Sequence, residues 1–191
     1  MTSSEFSDVT KEYLKDFYCI LDEMIAGMTM ANLTDSISHN FIVQMIPHHQ
    51  AAIEMSENLL NYTIFIPLQN IAKNIVREQT EGIQKMQKML EGCDLLKNAR
   101  CDIISYKKKY DEISERMFTN MGNSVSVNDI NINYMREMIP HHLGAIQMAQ
   151  TALQYGLCTD LKPMLQQIII SQQQGVNEMR KLLGQCNSET A

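Results

Sequence analysis

A chain of 191 residues with 45% hydrophobic and 20% charged residues has the balance of an ordinary globular protein and enough length to bury a core. Its formal net charge of −6 argues against the basic stripe of a nucleic-acid binder and against a polybasic face for anionic lipid. No apolar run is long enough for a membrane span, and Met1–Asp8 shows no basic segment leading into an apolar one, so the expectation is a cytoplasmic protein without membrane insertion.

The first predicted helix covers roughly residues 5–30 and carries Met24 and Met28, four apart and so on one face. A break at Asn32-Leu-Thr-Asp-Ser36 leads into the second, about 37–61. There Phe41, Met45, His48, Ala52, Met55 and Leu59 are spaced 4, 3, 4, 3, 4, an inward stripe. The adjoining stripe, Ile42, Ile46, His49, Ile53, Ser56 and Leu60, is also largely apolar, so both histidines of the pair sit on or beside the buried face. Pro47 falls inside this pattern and implies a kink, or a break, just before the pair. The third helix, about 67–91, opens with Pro67 in its first turn and carries the stripe Ile75, Gln79, Gly82, Met86, Leu90.

The next three helices, about 98–121, 129–155 and 160–185, repeat the first three at an offset of 93 residues without a gap. Met45-Ile-Pro-His-His-Gln-Ala-Ala-Ile-Glu-Met55 falls on Met138-Ile-Pro-His-His-Leu-Gly-Ala-Ile-Gln-Met148, with eight of eleven positions identical. Met117 and Met121 stand where Met24 and Met28 do, and Gln172, Gly175 and Met179 where Gln79, Gly82 and Met86 do. The organisation is therefore a three-helix copy over 1–93 and another over 94–191, together one all-α domain. Five cysteines in no CxxC spacing read as free thiols of a reducing compartment, with Cys93 and Cys186 at matching positions.

Neutral imidazole and thioether are the ligands on offer. Thioethers select Cu(I), and imidazole suits copper, zinc, iron and nickel, so a mixture of the two, in a chain with 15 methionines, favours copper, with zinc or iron possible. The expected metal ligands are Met45, His48, His49, Met55, Met138, His141, His142 and Met148. Met86, Met179, Gln79, Gln172 and the pairs Met24/Met28 and Met117/Met121 are secondary candidates; for the two methionine pairs core filling is the plainer explanation. A ferritin-like iron or manganese oxidoreductase is an alternative, weakened because no Glu-x-x-His occurs and because carboxylates near the motif do not recur: Glu54 falls on Gln147 and Glu137 on Gln44. A metal-free structural bundle is the other alternative.

The two Met-x-x-His-His segments, with their downstream Gln/Met helices, resemble the signature of the CopM-like copper-binding family, long described as a domain of unknown function. The resemblance covers about 37–186. It implies a ferritin-like four-helix bundle, here with two additional helices, and copper binding for buffering, sequestration or resistance, with no catalytic residues; relatives are often exported. It leaves open the metal stoichiometry, the oligomeric state and whether the two copies make one site or two.

Overall fold

In a computed structural model the chain is described over residues 6–189, with side chains as far as 185. Six helices follow one another: α1 (Asp8–Thr29), α2 (Ile37–Leu60), α3 (Ile66–Asp94), α4 (Arg100–Gly122), α5 (Ile130–Ala152) and α6 (Leu161–Glu189). Among the described residues there is no strand. Each element lies where the apolar period places it; the expected start of the first helix at residue 5 lies outside the described residues.

The helix starts follow from local chemistry. Ser7 Oγ accepts from the Thr10 amide at 3.2 Å and opens α1, with Asp8 in the first turn. Ser36 and Asp129 cap α2 and α5 at matching positions, each side chain accepting from the amide three residues on. Pro67 stands in the first turn of α3, where its missing N–H costs nothing. One turn inside α2 and α5, Asn40 and Asn133 each grip the backbone of the preceding loop twice. Asn40 accepts from Thr34 N at 2.7 Å and donates to Thr34 O at 3.0 Å; Asn133 does both to Val127 at 2.8 Å.

The helices α2 and α5 form the central pair. α1 and α3 flank α2, α4 and α6 flank α5, and α1 meets α4 as α3 meets α6. The first and fourth helices, the two additional to the four-helix bundle that the resemblance implies, are full members of the core. α1 buries Tyr13, Phe17, Leu21, Met24 and Met28, and α4 buries Tyr106, Tyr110, Met117 and Met121, because each carries a complete apolar stripe of its own.

Both internal prolines are accommodated inside unbroken helices. At Pro47 the cause is visible: a Cβ on Gly27 of α1 would lie 2.7 Å from Pro47 Cβ, so the glycine is a notch into which the pyrrolidine ring fits.

Cys93, at the end of α3, and Cys158, in the α5–α6 loop, form a disulfide with Cα atoms 5.2 Å apart. Free thiols were the expectation for all five cysteines; that holds for the exposed Cys19 and Cys101 and fails for this pair. Cys158 occupies the position matching Phe65, so spacing carries no hint of the pairing. The side chain of Cys186, at the position matching Cys93, lies outside the described residues. No described helix is long and apolar enough to cross a membrane.

Candidate metal centre

All eight expected ligands are buried, each at most 3% exposed: Met45, His48, His49 and Met55 on α2, and Met138, His141, His142 and Met148 on α5. The two histidines of each pair do different things. His48 and His141 meet across the α2–α5 contact, ring centroids 3.7 Å apart and planes inclined by 32°. His49 and His142 turn outward, their centroids 6.1 Å and 5.8 Å from those of His48 and His141.

The outward rings rest on the third helix of their own copy. A Cβ on Gly82 would stand 2.9 Å from His49 Cδ2 and 3.1 Å from its Nε2; one on Gly175 would stand 3.0 Å and 3.1 Å from the same atoms of His142. Glycine at the centre of each Gln/Met stripe is therefore what lets an imidazole lie against the helix backbone. The Oε1 atoms of the neighbouring Gln79 and Gln172 are buried and have no hydrogen-bond partner.

Burial decides the charge. Removal from water pushes the His49 imidazole down to about 3 and that of His141 to about 4, and holds His48 and His142 well below the ordinary range. All four rings are neutral near pH 7, which lets two of them pack closely with tilted faces.

Hydrogen bonding within this group is sparse. The Nε2–H of His141 donates to the backbone carbonyl of His48 at 3.0 Å, which leaves the lone pair on its Nδ1. That Nδ1, both ring nitrogens of His48, and the Nδ1 atoms of His49 and His142 have no hydrogen-bond partner. Buried polar atoms are paired in the great majority of cases, and leaving one unpaired costs about 1–3 kcal/mol. Five unpaired ring nitrogens are concentrated in one region; a neutral ring has one N–H and one lone pair, so His48 offers one lone pair and His141 Nδ1 another.

The secondary candidates divide. Met86 and Met179 are fully buried on α3 and α6. Met24, Met28, Met117 and Met121 are buried in the contacts of α1 and α4. A Cβ on Gly144 would overlap Met117 Sδ, so this thioether fills the notch of a glycine two residues beyond His142, a packing role.

One buried group escaped the reading of the repeat. Glu137, on α5, is 1% exposed; its Oε2 accepts from Tyr13 Oη–H at 2.6 Å, while Oε1 has no partner. Burial, against the lowering effect of that hydrogen bond, pushes its carboxyl up to about 7. Glu137 stands one turn before His141, beside rather than on the stripe of that histidine, and Gln44 takes its place in the first copy, so repetition does not mark it. It is the one buried carboxylate among the described residues, which offers no cluster of acids for a di-iron centre. Among them, too, no three or more His, Cys, Asp or Glu side chains are placed to hold a metal ion. A metal at this position would have to draw on thioethers or amides besides imidazole.

Fold and site together define an all-α bundle of six helices with a buried histidine pair at the crossing of its central helices. The chain belongs to the family described as a domain of unknown function, DUF305, which it matches over residues 20–90 and 108–183. It is similar to the crystal structure of a DUF305 fragment from Deinococcus radiodurans, with a TM-score of 0.57 and 21% sequence identity over 81% of this chain and 98% of that one; at that identity the likeness shows the fold. No curated protein matches the chain.

Proposed function

We propose that the protein binds Cu(I) between α2 and α5 and serves copper buffering, sequestration or resistance rather than catalysis. The observation that carries this reading is the stacked pair His48/His141, neutral, fully buried, with three of its four ring nitrogens unpartnered. The donor chemistry fits the ion. Met45 and Met138 stand three residues before these histidines and Met55 and Met148 seven after, on the same helix faces and equally buried. With no third His, Cys, Asp or Glu in position among the described residues, zinc and iron lack there the ligands they prefer, whereas thioethers would complete a set that selects Cu(I). Bound there, the ion would be withdrawn from solvent and from redox chemistry. The ferritin-like comparison implied by the resemblance belongs to this proposal too: α2, α3, α5 and α6 would be its four-helix unit, with α1 and α4 completing the core against the central pair. The Cys93–Cys158 disulfide fits an oxidising compartment better than the cytoplasmic setting expected from the sequence.

The test is an anaerobic Cu(I) titration against a competing chelator, for the wild type and for His48→Asn/His141→Asn, with thermal unfolding alongside. The wild type outcompetes a weak chelator. At free copper of about 100 times Kd its stability rises by roughly 2.7 kcal/mol, or about 5–10 °C for a chain of this size. The double variant folds but shows neither effect. Wild-type protein that cannot outcompete a weak chelator, or a variant that binds as well, would overturn the proposal and leave a metal-free bundle.

A further inference from the structure

The two outward histidines are reached by very different routes. Between α3 and α6, on the His49 side, lies a cleft of about 540 Å³ lined by His49, Gln79, Gly82, Met89, Met164 and Gln172 among others. On the His142 side the corresponding space is about 50 Å³; carboxylates and the amides of Gln79 and Gln172 line both spaces, but the smaller one has no sulfur. The two thioethers of the large cleft are not repeat equivalents: Leu182 stands where Met89 would recur, and Ile71 where Met164 would. One helix from each copy thus places a half-buried methionine in the lining of the cleft that His49 also lines. Gln79 and Gln172, 5% and 3% exposed, line the cleft and bring to it two buried Oε1 atoms that nothing else satisfies.

We infer that this cleft is the capture site through which Cu(I) reaches the interior, with Met89 and Met164 as its first ligands from solvent and His49 as the next. The inference rests on the Cu(I) reading above. Flexible thioethers at the mouth suit capture, since they bind a soft cation without charge neutralisation and release it to a better donor set. The ion moves by ligand exchange alone, with no change of oxidation state. The missing sulfur and small volume on the other side make the route one-sided.

The experiment follows the rate of Cu(I) transfer from a weak chromogenic Cu(I) chelator by stopped flow, together with the equilibrium affinity. It compares wild type, Met89→Leu, Met164→Leu and the double Leu variant, with His48→Asn/His141→Asn as the control for the interior. Leucine keeps the volume and removes the sulfur. The double variant should load about tenfold more slowly, the scale on which a lost supporting contact affects a metal site, while its equilibrium affinity stays close to wild type. Each single variant should be intermediate, which keeps the test valid if the double variant folds poorly. Unchanged loading overturns the capture site and leaves the interior reading intact. Affinity lost in step with rate also overturns it, because the two methionines would then belong to the final site. Wild-type protein that takes up no Cu(I) overturns both.

Discussion

At the scale of single residues, the cost of the site is four imidazoles kept neutral in the interior. Their values in the fold lie below the ordinary 6.5, at about 3 for His49 and about 4 for His141. The unfolded chain therefore takes up protons first. The stability of the fold is complete above about pH 6.5 and is lost as the pH falls toward 4 and 3, by about 1.4 kcal/mol per pH unit for each ring. Glu137 works the other way. Raised from 4.5 to about 7, it favours the fold most at low pH and loses that contribution as the pH rises through 7. Four rings outweigh one carboxyl, so urea midpoints should fall steadily from pH 6.5 downward. A flat profile between pH 7 and 4.5 would show that the rings are not buried neutral. Gly82→Ala tests the seat of His49 separately: the new Cβ, 2.9 Å from Cδ2, must displace the ring. It should slow Cu(I) loading severalfold and cost about 1–3 kcal/mol in urea unfolding, as overpacking does. Wild-type values in both measurements would contradict the close approach.

At the scale of elements, a proline inside a helix is tolerated here because the neighbouring helix is shaped for it. Gly27→Ala should cost about 1–3 kcal/mol of stability, because its Cβ would press on the Pro47 ring and push α1 away from α2. Equal urea midpoints for the two proteins would mean that α1 does not lie so close. The six helices were legible from the sequence because each carries a stripe of period 3.6 bounded by Asn, Asp, Ser or Pro, as with Ser36 before α2 and Pro67 in α3. The burial of the Met-x-x-His-His faces was legible for the same reason. How the helices sit side by side was not. Nothing in the stripe of α1 distinguishes a core helix from a peripheral one until Tyr13 meets Glu137 across 124 positions of chain. The different directions taken by His48 and His49 were likewise hidden: adjacent residues differ by about 100° around a helix, and only the neighbouring helices decide what each one faces.

At the scale of the whole molecule, near-repetition sets up a symmetric centre and departures from it give the molecule a direction. His48 and His141 meet where the two copies match. Met89, Met164 and Cys158 lie where they do not. The Cys93–Cys158 disulfide closes 65 residues of chain, ties the end of α3 to the loop before α6, and borders the same side as the methionine-lined cleft. A loop of that length corresponds to about 4 kcal/mol of restraint on the unfolded chain. Reduction should therefore lower the unfolding temperature by roughly 8–16 °C. Cys93→Ser should reproduce the loss, and an unchanged melting curve after reduction would contradict the cross-link.

The most direct measurement on the buried histidine pair is a long-range proton–nitrogen NMR spectrum of the imidazoles, recorded without metal and with one equivalent of Cu(I). Without metal, four neutral rings are expected, with His141 protonated on Nε2. With Cu(I), the ring nitrogens of His48 and of His141 Nδ1 should move strongly while His39 stays in place. Ring signals of His48 and His141 that do not respond to Cu(I), in protein that remains folded, would contradict the account.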